Sequence, residues 1–145
     1  MSTLFQTKIN YLKQAENGSV FKKSEVYLLH ALSFTEAEAR LQSILEEYIP
    51  EYELAACSKT NINDLIIDES RDYFYKAKIV YVSADADSGK EKKITENYIV
   101  QSDSISDCTN KIEERMKGTI MDWESSSISK TNIVDVFPYV DEEVS

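Results

Sequence analysis

Two stretches of the chain, Phe5–Tyr11 and Tyr73–Tyr81, alternate apolar with polar residues. This period of two is typical of a β-strand with one buried face. After a polar turn, each stretch is followed by a run rich in tyrosine and branched residues, Val20–Ala31 or Lys92–Ser102. Two extended runs joined by a polar turn predict a β-hairpin, so we expect one hairpin in each half of the chain.

A helix-start signal follows each predicted hairpin. Ser33 stands three positions before Glu36, which forms a capping box, and Ser104 stands three positions before Asp107 in a weaker version of it. After each signal, apolar residues recur at spacings of three and four, so we expect a helix with one buried stripe. The stripes are Phe34, Ala37, Leu41, Ile44, Leu45 and Tyr48 in the first helix and Ile105, Cys108, Ile112 and Met116 in the second.

The two halves are also similar residue by residue. Ser58–Asp64 recurs as Ser129–Asp135 with six of seven residues identical, at an offset of 129 − 58 = 71 positions. Matches in the same order at one offset are the signature of an internal duplication. Tyr52–Cys57 and Trp123–Ile128, at equivalent places, are predicted third strands, and Asn61–Arg71 joins the copies.

These elements predict an α+β fold built by internal duplication of a strand-strand-helix-strand unit. We expect antiparallel sheets, each covered by one helix, and a pseudo-twofold relation between the copies. Repeat one spans about residues 4–66 and repeat two about 73–137, with a short acidic tail over 138–145. Because one hairpin and one helix bury little surface, we expect both copies to share a single domain over 1–145. The alternative is two very small domains in tandem.

Composition narrows the possible functions. A content of 42% hydrophobic residues in a chain of 145 is sufficient for a core. A net charge of −10 and a pI of about 4.6 argue against a protein that coats duplex DNA through its overall charge, although a local basic groove is compatible with them. The chain has two cysteines, no recognisable leader and no apolar run of the roughly 20 residues that cross a bilayer. We therefore expect a protein of the reducing cytoplasm with no membrane partner.

Candidate catalytic and metal-binding residues are few. His30 is the single histidine and has no visible nucleophile or orienting acid, so we interpret it as a polar residue at a strand end. Cys57 and Cys108 are not at equivalent positions, and no cysteine or histidine cluster accompanies them. The segment Asp85–Glu96 resembles a calcium loop only superficially, because three lysines occupy positions where ligands belong. We expect no enzyme activity, no metal and no cofactor.

The repeated Ser-Lys-Thr-Asn-Ile-x-Asp segment is the most specific motif, and it has two interpretations. Its amide, hydroxyl and carboxylate side chains are typical of strand exits, where they bond to nearby backbone. Alternatively, its lysines, threonines and asparagines form two anion-binding corners suited to phosphate. The residues of these corners are Lys59, Thr60, Asn61, Lys130, Thr131 and Asn132.

Lysines interleaved with aromatic residues on the hairpins indicate a further binding surface. This combination is typical of sheets that bind single-stranded nucleic acid, with lysines on phosphates and aromatic rings stacked on bases. Phe21, Tyr27 and Phe74 are the candidates for stacking, because many of the other aromatic residues alternate onto the apolar face. Lysines on an exposed sheet face also protect against edge-to-edge pairing, which is the alternative interpretation. The lysines of this surface are Lys8, Lys22, Lys76, Lys78 and Lys93.

Four segments, namely Tyr27–Arg40, Ser88–Lys93, Met116–Thr119 and Asp135–Tyr139, resemble a family of small uncharacterised proteins of gut anaerobic bacteria and their tailed phages. The resemblance extends through nearly the whole chain. It implies a mobile-element origin and action inside the cell, in the host cytoplasm for a phage-encoded protein. The family is a domain of unknown function with no catalytic motif to transfer. By analogy with phage genomes in general, it favours replication accessories and proteins that counter host defence.

From these features we expect a non-enzymatic accessory of nucleic-acid metabolism that binds single-stranded DNA in phage or mobile-element replication. The alternative is a phage counter-defence protein that binds a host protein or a signalling nucleotide, since a net charge of −10 suits docking on a basic partner. Either role is compatible with a host or phage protein partner and with a homodimer.

Overall fold

The computed structural model describes residues 3–84 and 87–139. These residues form strands and helices that follow the predicted order, with one additional short strand at the end of each repeat. The elements are β1 (Thr3–Gln14), β2 (Val20–Ala31), α1 (Phe34–Leu45), β3 (Glu53–Lys59), β4 (Asp64–Ile66), β5 (Tyr73–Ala84), β6 (Glu91–Ser102), α2 (Ile105–Arg115), β7 (Asp122–Lys130) and β8 (Ile133–Phe137).

Both predicted hairpins and both predicted helices are confirmed, but three residues assigned to the buried helix stripes, Phe34, Tyr48 and Ile105, are exposed because they lie at or beyond the ends of the helices. β1 pairs with β2, and β5 pairs with β6, in antiparallel register along their whole lengths. Ser33 Oγ accepts a hydrogen bond from the backbone N–H of Glu36 at 3.1 Å, and Ser104 Oγ accepts one from that of Asp107 at 3.0 Å. These bonds satisfy N–H groups that the first turn of a helix leaves unpaired. Each helix therefore starts where its capping signal stands in the sequence.

Each sheet also contains a strand that comes from the other repeat. β4 lies at the end of repeat one but pairs in parallel with β6, and β8 lies at the end of repeat two but pairs in parallel with β2. The strand orders are β3-β1-β2-β8 and β4-β6-β5-β7. Both sheets are mainly antiparallel, as predicted, and the exchanged strands add one parallel pair to each. The segment Asn61–Arg71, which was predicted only as a connection, contains β4.

Because of this exchange, the compact units of the chain do not coincide with its repeats. Unit 1 consists of Met1–Thr60 with Asn132–Ser145, and unit 2 consists of Asn61–Thr131. Unit 1 contains α1 and the sheet with β8, whereas unit 2 contains α2 and the sheet with β4. Each sheet is thus completed by a strand that lies beyond the helix and third strand of the other repeat.

Each helix packs on one face of the sheet in its own unit. In unit 1, Leu41 of α1 contacts a cluster that includes Ile9 and Leu29. In unit 2, Ile112 of α2 belongs to a cluster that includes Ile79. Leu41 and Ile112 are at equivalent positions and are 0% and 1% exposed. We call the other face of each sheet its helix-free face. None of the helices in the described part of the chain is long and apolar enough to cross a membrane.

Candidate nucleic-acid interface

The repeated motif makes the same backbone contacts in both copies. Thr60 donates from its backbone N–H and from its hydroxyl to the carbonyl oxygen of Leu4, at 3.0 and 2.9 Å. Thr131 donates in the same way to the carbonyl oxygen of Phe74, at 2.9 and 2.8 Å. A hydroxyl has one hydrogen to donate, and here it goes to the backbone. This geometry favours the interpretation of the motif as a structural strand exit.

Lys59 and Lys130 lie on the helix-covered faces. Lys59 pairs with Phe5 across the β1–β3 ladder, and Lys130 pairs with Tyr75 across the β5–β7 ladder. Directly opposed residues of antiparallel strands project to the same face, and both Phe5 and Tyr75 are buried in the hydrophobic clusters. The Nζ of Lys130 lies 3.5 Å from the centre of the Tyr73 ring. The two corner lysines are therefore separated from the helix-free faces that carry most of the hairpin lysines.

Three of the predicted binding residues do come together in unit 2. Lys76 and Lys78 project from β5 on the helix-free face, and Asn61 lies beside them. They line an open cleft of about 560 Å³ together with side chains that the sequence analysis did not single out. Those side chains are Thr95, Asn97, Ser127 and Ser129.

The cleft has the chemistry of an anion-binding surface. None of its seven lining residues is acidic, although the chain carries 26 aspartates and glutamates. Lys76 and Lys78 are exposed, and neither forms an ion pair with a residue that the structure describes. Ammonium, hydroxyl and amide groups are the donors that proteins use to hold phosphate oxygens.

The register of the sheet sets the arrangement of these donors. Lys78 pairs with Asn97 on one neighbouring strand and with Ser127 on the other. Lys76 pairs with Ser129 on the same side as Ser127. The two lysines therefore form the middle row of a three-strand surface, with an amide on one side and hydroxyls on the other.

Asn97 also holds the segment that carries Asn61. Its backbone N–H donates to Asn63 Oδ1 at 2.7 Å, and its carbonyl oxygen accepts the Asn63 N–H at 2.7 Å. Its Nδ2 donates to the carbonyl oxygen of Asn61 at 3.4 Å. Asn61 of the repeated motif and Asn97 of β6 thus line the cleft together in unit 2.

The other predicted residues lie outside the cleft. Lys93 projects from β6 on the same face of unit 2, near the hairpin end. Lys8 lies on the helix-free face of unit 1, Lys22 lines a different cavity of unit 1, and Asn132 is exposed between β7 and β8. The predicted set is therefore distributed over several surfaces.

Two of the three candidate stacking residues are buried. Tyr27 is 5% exposed and Phe74 is 2% exposed, so neither ring offers a face to a nucleic-acid base. Phe21 is 45% exposed, but it belongs to the first hairpin, in unit 1. The prediction that lysines alternate with exposed aromatic rings is therefore wrong for the cleft, because none of the residues that line it is aromatic.

His30, the single histidine, contacts the residues that follow β8. Its Nδ1 accepts the backbone N–H of Tyr139 at 3.2 Å, and its ring stacks on that of Tyr139 with centres 5.7 Å apart. The guanidinium of Arg40 lies 4.7 Å from the centre of the same Tyr139 ring. At the equivalent position of repeat two, Gln101 Oε1 accepts the N–H of Asp68 at 3.0 Å. His30 and Gln101 therefore fasten the residues that follow the exchanged strands.

In unit 2 this fastening is reinforced by ion pairs. The Nζ of Lys111 lies 2.8 Å from a carboxylate oxygen of Asp68 and 3.3 Å from one of Asp107. The Nε of Arg71 lies 3.2 Å from the same oxygen of Asp107. The hydrogen bond from Lys111 is the main cause that holds the pKa of Asp68 well below its usual range. These charges are used within the fold and leave no free basic site there.

We expect His30 to make the protein less stable as the pH falls. Burial, followed by the charge of Arg40, lowers the pKa of His30 below 6.5. The unfolded chain binds a proton at about pH 6.5, but the folded imidazole does so only at a lower pH. Above about pH 6.5 this titration therefore makes no contribution to the free energy of unfolding. As the pH falls from about 6.5 toward the lower pKa of the folded imidazole, the free energy of unfolding decreases.

His30→Gln, which introduces the residue of repeat two, keeps a hydrogen-bond acceptor and removes the titrating group. Urea unfolding at about pH 7.5 and about pH 5.5 should show a larger loss of stability for the wild type than for the variant. Equal losses in the two proteins would contradict this assignment.

Neither cysteine forms part of a recognisable site. Cys108 is fully buried in the core of unit 2, and burial raises its pKa and that of Cys57. Within residues 3–84 and 87–139, no three histidine, cysteine, aspartate or glutamate side chains are arranged to hold a metal ion. Part of the segment compared with a calcium loop, residues 85 and 86, and residues 140–145 of the acidic tail lie outside the described residues.

The fold and the cleft define a duplicated α+β protein with exchanged strands and a basic cleft that has no acidic lining residue. The chain belongs to the family described as a domain of unknown function (DUF4494), whose model matches residues 3–139. This match covers both repeats and confirms the resemblance to an uncharacterised domain family. The chain has no match among curated proteins or among solved structures.

Proposed function

We propose that the protein is a non-enzymatic accessory of nucleic-acid metabolism that binds single-stranded DNA through the cleft of unit 2. The observation that carries this proposal is the cleft beside Lys76 and Lys78, which contains no acidic residue although the chain has a net charge of −10. In such a chain, a cleft lined by two lysines and by no carboxylate is a local exception. Phosphate groups are the anions that this set of ammonium, hydroxyl and amide donors fits best.

The charge of the chain favours a single strand over a duplex. Duplex DNA carries one negative charge per about 1.7 Å of its axis, so a protein with a net charge of −10 is repelled by it more strongly than by a single strand. A cleft with two lysines neutralises only a short stretch of backbone. Because the cleft has no aromatic residue, we expect affinity to come from phosphate contacts, with little preference for sequence.

The family resemblance supplies the proposed context. Segments similar to proteins of gut anaerobes and their tailed phages favour a role in phage or mobile-element replication, in the cytoplasm of the host. His30 supports the non-enzymatic part of the proposal, because its Nδ1 and its ring are both occupied by Tyr139.

The variant Lys76→Ala/Lys78→Ala tests the site directly. We expect binding of a fluorescently labelled oligo-dT to weaken and its salt dependence to become shallower, as measured by fluorescence anisotropy. Each lost phosphate contact lowers the slope of log K against log salt by roughly 0.7 for a single strand, so the double variant should lose about 1.4. Both lysines are exposed, so the fold should be retained.

Lys90→Ala/Lys117→Ala is the matched control, since it removes two exposed charges of unit 2 that lie outside the cleft. Its affinity and its slope should be those of the wild type. If the control variant loses as much affinity as the cleft variant, binding depends on overall charge and the cleft is not the site. If the wild type does not bind the single strand at micromolar concentrations, the proposal is wrong.

The size of the cleft favours one alternative. A volume of about 560 Å³ lies within the range of small-molecule sites, so a signalling nucleotide bound by a counter-defence protein is the second candidate. Calorimetric titration with cyclic mono- and dinucleotides distinguishes the two roles. Binding of a nucleotide that depends on Lys76 and Lys78, without binding of oligo-dT, would replace the first proposal by the second.

A further inference from the structure

The edge of β1 in unit 1 carries a second, independent feature. β1 pairs with β3 only as far as Asn10, which lies opposite Glu53, although β1 itself continues to Gln14. In unit 2 the equivalent strand β5 remains paired for two more residues, up to Val82 opposite Asp122. Unit 1 therefore leaves open a stretch of strand edge that unit 2 closes with its own chain.

The sequence before β3 differs from that before β7 at the point where the two ladders part. Pro50 and Glu51 form a bend and do not join the sheet. Proline has no N–H to donate to a neighbouring strand and is disfavoured inside a ladder. Met121 stands at the equivalent position of repeat two, and Asp122 after it already belongs to β7.

The backbone of Leu12 faces this opening. The carbonyl oxygen of Leu4 accepts the N–H of Thr60, so Leu4 directs its polar backbone groups toward the β3 side. Alternate residues of a strand direct these groups to the same side, which places the N–H and C=O of Leu12 on the β3 side as well. Among the described residues, the ladder on this side ends at Asn10. Unpaired strand backbone is a template for an added strand.

Two adjoining cavities lie along the open edge. The larger is about 510 Å³ and the smaller about 290 Å³, and both are lined by Tyr11, Leu12 and Glu51. Tyr52 borders the larger cavity and Tyr48 the smaller one. Leu12 is 73% exposed and Tyr48 is 78% exposed, so the open edge carries apolar surface that a bound segment could cover.

The side chains around the edge favour a basic occupant, because the larger cavity is lined by two carboxylates, Glu51 and Glu53, and by one ammonium group, that of Lys22, which leaves a formal charge of −1. Glu51 and Glu53 are exposed, and neither forms an ion pair with a residue in the described ranges. Carboxylates bind guanidinium and ammonium groups, and tyrosine faces attract the same cations. The end of the chain, with the sequence Asp141-Glu142-Glu143, has the wrong charge to occupy this edge.

We propose that this edge binds an extended basic segment of a partner protein, which adds to the sheet of unit 1 as a strand beside Leu12. Backbone hydrogen bonds to Leu12 provide the affinity for the segment. The alternate side chains of the segment provide the specificity. Arginine or lysine side chains project to the face of Leu12, where they meet Glu51 and Glu53, and the side chains between them project to the opposite face, beside Tyr11. This site is separate from the nucleic-acid cleft and does not depend on its function.

The test uses a fluorescein-labelled peptide in which arginine and valine alternate, with anisotropy as the measurement. We expect it to bind, and we expect two matched peptides to bind at least about tenfold more weakly. In one of these, glutamate replaces arginine. In the other, alternate backbone amides are N-methylated, which keeps the charge but removes the N–H groups that a ladder requires. Glu51→Gln/Glu53→Gln should weaken binding of the first peptide by about tenfold.

Glu91→Gln/Glu113→Gln, which removes two exposed carboxylates of unit 2, is the control and should bind the peptide as the wild type does. Leu12→Pro should abolish binding, because it removes an N–H that faces the open edge. If the N-methylated peptide binds as tightly as its parent, strand addition is wrong, whether or not Leu12→Pro folds. If the peptide does not bind and sedimentation shows self-association that Glu51→Gln/Glu53→Gln alters, a second copy is the occupant and the proposal is overturned. If the peptide does not bind and the protein does not self-associate, the proposal is also overturned.

Discussion

A chain that ends at Thr131 is expected to lose the fold of unit 1, most of which precedes Asn61 in the sequence, and to keep that of unit 2. The reason is the strand exchange. β8, which such a chain lacks, pairs with β2 in unit 1, whereas unit 2 retains all four of its strands. A deletion at one end of the sequence should therefore act on the elements that begin at the other end.

The expected effect is large because β8 contributes buried side chains as well as a ladder. Val136 is 6% exposed, and the Phe137 ring stacks on that of Tyr27 with centres 5.7 Å apart. Burying a side chain of this kind contributes about 1.5–3 kcal/mol, and a typical domain is stable by only about 5–15 kcal/mol. The loss of both side chains, together with the hydrogen bonds of β8, is a large fraction of that stability.

Hydrogen exchange measured along the chain checks this prediction. Amides of Ile9 and Leu29 should lose protection in the shortened chain, while those of Ile79 and Ile112 should keep it. A chain that ends at Tyr139 retains β8 and is the control. Adding a peptide of residues 132–139 to the shortened chain should restore protection in unit 1. Loss of protection in unit 2 before unit 1 would contradict the exchange.

The exchange could not be predicted from the sequence, although the elements around it could. Strands and helices are visible in the sequence because their apolar residues recur with periods of two and 3.6. These periods are local and do not depend on which strand pairs with which. The choice of partner is different. Asp64–Ile66 has only three residues, and the two repeats present edges of similar sequence in β2 and β6, so no local pattern decides which one it joins. Tertiary contacts make that choice.

The candidate cleft was predictable to a similar extent. Alternation along β5 places Lys76 and Lys78 opposite the apolar face, and this orientation is present in the structure. The contribution of Ser127 and Ser129 depends on the pairing of β5 with β7, including a shift of register between Lys78 and Ile79. A shift of this kind leaves no signal in a single sequence. Cleft residues on the neighbouring strands were therefore missed.

Leu41→Ala and Ile112→Ala should each lower the free energy of unfolding by about 2–5 kcal/mol. The two residues are equivalent in the duplication, and they are 0% and 1% exposed within the clusters under α1 and α2. Truncation removes apolar surface from the core and leaves a cavity that the surrounding side chains fill only partly. Similar losses at both positions are expected, because the two helices bury equivalent stripes against equivalent pairs of strands, β1 and β2 in unit 1 and β5 and β6 in unit 2.

Urea denaturation followed by far-ultraviolet circular dichroism measures these losses. The smaller change Ile112→Val should cost only about 0.5–1.5 kcal/mol, which separates loss of packing from a general disturbance of the helix. Ile120 lies a few residues beyond α2 and is 100% exposed, so Ile120→Ala should change stability by no more than about 0.5 kcal/mol. A loss at Leu41 or Ile112 as small as that at Ile120 would mean that the helix does not bury this stripe. In that case the duplicated arrangement of helix on sheet would be incorrect for the unit concerned.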